Sequence, residues 1–274
     1  MQSSFATSFS VNWRMRRSKK ASEDTERQKA KFKMQNANRG EAELAEGKQV
    51  TSNKKKLNQL IITSDGSHTI FVPELNEHYH SIHGAVQEST FIFIKNGFEI
   101  CKADPLNVFE VGFGTGLNVL LTAISASDKK RIIHYTSIEK YPLHESVIKT
   151  LNHRTFAGME GKQIFNKIHD SKWGSFEKIT ENFYLKKIKC DLVKDNVEGK
   201  FDLIYFDAFG PDKQPEMWTR EIFVRIAAVT NKNGVLVTYS AKGEVKRNLK
   251  VCGFDVTLLP GPPGKRQIIR AVKI

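Results

Sequence analysis

The residues whose types and spacing point most directly to chemistry form one segment, Glu110-Val111-Gly112-Phe113-Gly114-Thr115-Gly116-Leu117-Asn118. The apolar pair Val108-Phe109 leads into it, so an apolar strand, a glycine turn and a helix follow one another. Glycines let backbone N–H groups approach a ligand closely and permit dihedrals that a Cβ forbids. The spacing here is GxGxG, unlike the GxGxxG of dinucleotide sites. Glu110 stands two residues before the first glycine, where a carboxylate would repel a pyrophosphate. A ligand with an ammonium group and no phosphate suits the loop better. Glycines that serve packing alone are the blander reading of the bare triplet.

S-adenosylmethionine has the required form, with an amino-acid tail, a sulfonium and a nucleoside. Two further acids stand where it would want them. Glu139, beside Lys140, ends the second candidate strand and can accept both ribose hydroxyls; Asp191 ends the third and can bond an adenine amine. Each could instead cap the helix that follows it. The fourth candidate strand ends in Asp207-Ala208-Phe209-Gly210-Pro211. A carboxylate there suits an aliphatic amine acceptor, which is protonated at neutral pH with a pKa of roughly 9–10 by analogy with lysine. Asp207 is expected to orient the ammonium, take its proton and balance the cationic transition state. A turn cap is its structural alternative. Phe209 and Trp218 can stack on a base, with core packing as the competing role for Trp218.

These residues need a scaffold that gathers strand ends. From Leu106 onward, short apolar runs at 106–111, 132–138, 182–189, 201–206, 234–239, 254–259 and 267–273 alternate with helix candidates near 116–126, 143–151, 215–229 and 242–251. Such alternation predicts an α/β fold, a Rossmann-like doubly wound sheet of seven strands over 105–274. Before it, Leu60-Ile61-Ile62 and Thr69-Ile70-Phe71-Val72 flank an Asp65-Gly66 turn and predict a β-hairpin. Ala85 to Asn96 reads as a helix that Gly97 ends, so 57–104 forms an N-terminal hairpin and helix cap.

The chain has 274 residues and a formal charge of +13. Residues 1–56 hold 14 Lys/Arg against 6 Asp/Glu, a net of +8; the remaining 218 residues carry 29 and 24, a net of +5. Most of the basic excess therefore lies in a polar segment without apolar periodicity, expected to be a disordered tail. An organelle transit peptide and a start codon assigned too early are its alternatives. Cys101, Cys190 and Cys252 are widely spaced and show no metal-ligand pattern, so no metal site and a cytoplasmic setting are expected. No apolar run approaches the ~18–20 residues of a membrane span. No long amphipathic surface helix stands out, which suggests a monomer.

Together the blocks resemble the methyltransferase domain of the tRNA-modifying MnmC family and its stand-alone MnmD counterpart, from about Leu57 to Ile274. The resemblance is carried by Glu77-His78-Tyr79-His80-Ser81, Gly84-Ala85 with Glu88-Ser89, Glu110 through Asn118, and Ile138-Glu139-Lys140-Tyr141-Pro142-Leu143. It continues in Asp207-Ala208-Phe209-Gly210-Pro211 with Pro215-Glu216-Met217-Trp218-Thr219, and ends in Tyr239-Ser240-Ala241-Lys242-Gly243 and Leu259 through Arg266. It implies a class I S-adenosylmethionine methyltransferase fold and N-methylation of the 5-aminomethyl group of a (2-thio)uridine at the tRNA wobble position, in the anticodon loop. By the match, Glu110, Gly112, Gly114, Gly116, Asn118, Glu139, Lys140 and Asp191 would hold the cofactor. Asp207 and Phe209 would face the acceptor, with Tyr79 and Glu88 closing the site. Bifunctional members continue into a flavin-dependent oxidase domain that this sequence lacks, so methylation alone is expected. The 56-residue basic tail has no counterpart in the family pattern.

Lys265 and Arg266, beside Pro262-Pro263-Gly264, are the expected contacts to tRNA phosphates. Lys242, Lys246, Arg247 and Lys250 are equally well read as a solvated helix face. A methyl- or aminopropyltransferase for a small aliphatic amine is the competing enzyme, although it would be expected to show a GGGxG loop. A non-catalytic RNA-binding module is the competing non-enzyme.

Overall fold

The central strand of the molecule is β4 (Leu106–Val111), in which Leu106, Val108, Phe109 and Val111 are buried. It bonds β5 (Ile133–Glu139) and β8 (Phe201–Phe206) in parallel, one on each side. Apolar runs with no polar alternation fold this way because both faces of the sheet are covered. The computed structural model describes residues 58–156 and 158–274. The basic tail, with its alternative readings, lies outside the described residues.

The order of the sheet is β10-β11-β9-β8-β4-β5-β7-β6. Parallel pairing extends to β7 (Phe183–Lys189) and β9 (Thr230–Thr238), while β11 (Gln267–Lys273) runs antiparallel between β9 and β10 (Phe254–Pro260). The seven strands read from the sequence are all present. An eighth, β6 (Phe176–Thr180), adds to the β7 edge as an antiparallel hairpin. Its sequence, FEKIT, faces water along much of its length and gives little apolar signal.

The pleat divides the core. Val108, Tyr135, Leu203 and Tyr205 face one side, where α2 (Leu117–Lys129) and α4 (Gly158–Asp170) pack. Phe109, Val111, Ile204 and Phe206 face the other, under α5 (Arg220–Val229) and α6 (Gly243–Val251). Alternate residues of a strand point to opposite faces, so Glu110 shares the Val108 side, beneath α2. Thr219 starts α5 by accepting the Ile222 N–H at its hydroxyl. The helix α4 was not expected; its apolar positions Ile164, Phe165 and Ile168 are few among lysines and polar residues.

The N-terminal hairpin forms from β1 (Gln59–Ile62) and β2 (His68–Val72), with Leu60 opposite Ile70, and a short β3 (Glu77–His78) extends it. Asp65 organises its turn by accepting from Thr63, Ser67 and the Gln87 N–H. The following helix α1 (Ala85–Ser89) passes without a break into a π-helical run, Thr90–Phe98. Gly97 therefore does not end it. A Cβ on Gly97 would stand 3.1 Å from both Tyr205 Cε1 and Val237 Cγ2, so the glycine lets the helix lie close on the sheet. Between β5 and α4 comes the short α3 (Glu145–Ile148), and Pro215–Trp218 forms one 3₁₀ turn before α5.

Candidate active site

A cleft of about 600 Å³ opens at the carboxyl ends of the parallel strands. There the chain leaves β4 for one half of the sheet and later returns at β8 to build the other, the position where doubly wound sheets bind ligands. The glycine loop forms its floor. Gly112 has φ +95, and a Cβ on it would meet the Asp207 carbonyl oxygen at 2.7 Å. The Asp207 N–H in turn donates to the Val111 carbonyl at 3.0 Å. The loop and the end of β8 thus touch through backbone, and only glycine permits it. Gly114 is equally close-set: a Cβ there would stand 3.1 Å from the Tyr79 ring. Gly116 starts α2 at φ +73, but it faces His169 and Phe113 rather than the cleft.

Glu139 lines the cleft where β5 ends, its Oε2 accepting the Gly114 N–H at 3.0 Å and its Oε1 the Tyr141 N–H at 2.8 Å. It therefore ties two loops together while keeping lone pairs for a ligand. Asp191, beyond β7, lines the same wall and pairs with Lys140 Nζ at 3.0 Å, which holds its carboxyl below the usual range. Asp207 lies half-buried in the cleft floor, and Asn118 Nδ2 donates to its Oδ2 at 2.8 Å. Burial pushes Asp207 up to about 7; Asn118 opposes the shift and the nearby Glu88 adds to it.

The N-terminal segment closes the opposite side. Tyr79 packs edge-on against Phe209 with ring centroids 5.0 Å apart, and both line the cleft. Glu88 accepts the Ser81 N–H at Oε2 and pairs with Lys265 Nζ at 3.1 Å through Oε1. Lys265, expected at a tRNA phosphate, is instead turned into the cleft, its ammonium 4.7 Å from the Tyr239 ring centre. Arg266 next to it is exposed and outside the cleft wall.

Two other expected site residues stand apart from the cavity. Trp218 is 3% exposed among Phe206, Phe223 and Tyr239, so it packs the core. Its indole N–H donates to the Phe209 carbonyl at 2.7 Å, which steadies the loop without meeting a base. Glu110 is fully buried below the floor, its Oε2 accepting from Ser137 Oγ at 2.6 Å. Burial pushes it up to about 8, which favours its neutral form at neutral pH.

Tyr239 and Asp212 also line the cleft and had been given no role, and Lys242, read as a phosphate contact or a solvated helix face, lines it too. Tyr239 donates from its hydroxyl to the Ala208 carbonyl at 2.8 Å, and Lys242 pairs with Asp212 across the rim. The signal for Tyr239 was its place just past the fifth parallel strand.

A family model described as S-adenosyl-L-methionine-dependent methyltransferase matches residues 162–274. The tRNA 5-methylaminomethyl-2-thiouridine biosynthesis bifunctional protein MnmC of Campylobacter hominis is 32% identical over 210 residues, covering 74% of this chain and 31% of that protein. MnmC of Cupriavidus metallidurans is 31% identical over 225 residues, covering 76% and 33%. The chain belongs to the S-adenosyl-L-methionine-dependent methyltransferases, in the family of the MnmC methyltransferase domain. The crystal structure of MnmC2 from Aquifex aeolicus shares the fold of this methyltransferase, with a TM-score of 0.66 at 23% identity over 81% of this chain and 72% of that one. The chain spans about a third of the length of the curated relatives it matches.

The methyltransferase's own residues fit its cofactor. Gly112 and Gly114 line the cleft with bare backbone at positions too crowded for a side chain, and Glu139 and Asp191 place acceptors beside it. The cavity has the size of a cofactor with a small acceptor group. Among the described residues no group of three His, Cys, Asp or Glu side chains is placed to hold a metal ion, and no helix is long and apolar enough to cross a membrane.

Proposed function

We propose that this methyltransferase transfers a methyl group to the amine of 5-aminomethyl(-2-thio)uridine at the wobble position of tRNA. The observation that carries the reading is Asp207, a half-buried carboxyl poised near neutrality in the floor of the cleft, against the glycine loop. The curated relatives, whose name places them in 5-methylaminomethyl-2-thiouridine biosynthesis on tRNA, support the same acceptor.

Bound S-adenosylmethionine supplies an electrophilic methyl carbon on a sulfonium. In the reading proposed, the chain's residues do the rest. Gly112, Gly114, Asn118, Glu139, Lys140 and Asp191 would hold and orient the cofactor. Tyr79 and Phe209 wall the acceptor side, and Glu88 with Asp207 draws in the acceptor ammonium. Asp207 takes one proton from that ammonium, which frees the nitrogen lone pair. That lone pair would take the methyl group the bound cofactor supplies, the carbon–sulfur bonding pair remaining with the cofactor, and holding the amine against that group would supply much of the rate. The secondary amine leaves as its ammonium, and Asp207 returns its proton to water. The cytoplasm, a monomer, and a division between a tail at 1–56 and a catalytic domain at 57–274 complete the proposal. The three cysteines, all free, fit a reducing compartment.

The test is transfer of labelled methyl from S-adenosylmethionine to tRNA carrying 5-aminomethyluridine, with Asp207→Ala alongside. Transfer by the wild type that the variant loses, while cofactor binding persists, is the expected result. Tight cofactor binding with no transfer to that tRNA rejects the acceptor.

A further inference from the structure

Glu110 is a buried ionisable group for which the chemistry above has no use. It sits on β4, under α2, and the groups around it come from three elements. Ser137 and Tyr135 face it from β5, Asn118 from α2, and Tyr205 and Asp207 from β8 and its end. Beyond Asp207 stand Glu88 and Lys265. Among the described residues no cation contacts Glu110. An ionised carboxylate there would lie unpaired in the interior beside a second carboxyl, the costliest arrangement a buried acid can have.

The polar atoms of this cluster leave specific vacancies. Glu110 Oε1, Asn118 Oδ1 and the Tyr135 hydroxyl are all buried and have no hydrogen-bond partner among the described residues. Asn118 lies against both carboxyls and spends one amide hydrogen on Asp207. Its carbonyl oxygen needs a donor. A proton on Glu110 Oε1 provides one, whereas an ionised Glu110 provides none. Buried groups are seldom left in that state.

We propose that Glu110 acts as a neutral carboxylic acid that donates to Asn118 and so fixes the Asn118 amide with its NH₂ toward Asp207. The pair are positioning residues: they hold one oxygen of Asp207 and leave the other for the acceptor ammonium. An ionised Glu110 leaves the Asn118 carbonyl without a donor and adds a like charge beside Asp207. Its deprotonation, set by burial at about 8, then lowers turnover on the alkaline side. The inference rests on Asp207 being the proton acceptor proposed above.

Infrared spectra of the wild type and Glu110→Gln, taken from mildly acidic to alkaline pH, read the protonation state without any substrate. A buried carboxylic-acid band at neutral pH, lost in Glu110→Gln and titrating away near pH 8, is expected. Its absence overturns the proposal whatever the substrate proves to be. Kinetics read the positioning. Glu110→Ala and Asn118→Ala each lower kcat by ~10-fold or more with KM for tRNA little changed, the pattern of an interaction made in the transition state. Glu110→Gln, whose amide donates in place of the acid, restores most of kcat and removes the alkaline fall. A Glu110→Gln variant that binds S-adenosylmethionine about tenfold more weakly at neutral pH would mean an ionised cofactor ligand instead. If the wild type transfers no methyl to the tRNA, the acceptor assignment fails, while the infrared result still decides the state of Glu110.

Discussion

Asp207 and Glu110 show how two carboxyls, one strand apart, acquire different tasks. Asp207 opens to the cleft and keeps an amide donor; Glu110 is sealed under α2 with a serine hydroxyl. Both are raised by burial, yet only Asp207 can reach a substrate. As a base it must be deprotonated, so kcat/KM is expected to rise as pH increases through about 7, Asp207's own value. Asp207→Asn removes the base while keeping its shape; kcat should fall ~10²–10⁴-fold with cofactor affinity retained by calorimetry. Gly112→Ala tests the floor beneath it. A methyl 2.7 Å from the Asp207 carbonyl, on a backbone at φ +95, must push the loop and β8 apart. Cofactor affinity and Tm should both drop, by ~1–3 kcal/mol in stability. At this scale the sequence located Asp207, Glu139, Asp191, Gly112 and Gly114 by their places at strand ends. It set Glu110, Gly116, Trp218 and Arg266 at a cleft they do not line, and Lys265 at a phosphate rather than on Glu88, because side-chain direction depends on pleat and rotamer.

Elements with a clean apolar run were legible. The strands from β4 onward announced themselves, except β6, because burial on both faces leaves no polar positions in a central strand. The helix α4 and strand β6 did not, since each buries only one narrow face and is polar elsewhere. Gly97 is the instructive case. Near a helix end glycine commonly marks a C-cap, but here the helix continues past it and the glycine marks a helix–sheet contact. Gly97→Ala separates the two readings. A cap at ordinary φ would tolerate alanine; a methyl 3.1 Å from Tyr205 and Val237 overpacks the core, and stability to denaturant should fall by ~1–3 kcal/mol.

Across the whole molecule, buried titratable groups of opposite sense set the pH at which the fold is most stable. His80 and His169 are lowered by burial to about 4, and His153 is lowered by burial with His80 beside it. The unfolded chain binds protons at these positions below about 6.5 while the folded chain does not, so acid costs stability. Glu110 and Asp207 act the other way. Folded, they keep protons up to about 8 and about 7, while unfolded they release them near 4.5 and 3.8, so their contribution is lost as pH rises. Between about 4.5 and 6.5 the histidines outnumber the carboxyls; from 6.5 to about 8, where Lys187 begins to lose its proton, the carboxyls dominate the change. Tm should peak near pH 6.5 and fall on both sides. Glu110→Gln should flatten the alkaline side in calorimetry, and a Tm unchanged from pH 6.5 to 8 in the wild type would contradict this balance.

Read alone, the sequence determined the class of fold, the strand ends at which ligands gather, and the acids and glycines that stand there. Those are properties of local patterning: apolar runs set strands, and glycine spacing sets the turn. The tertiary structure alone decided which of these side chains share a cavity. It turned Glu110 inward beneath α2, packed Trp218 into the core, brought Tyr239 into the cleft wall and drew Lys265 onto Glu88. Such outcomes depend on contacts between residues far apart in the chain, as between Glu88 and Lys265, and periodicity carries no record of them.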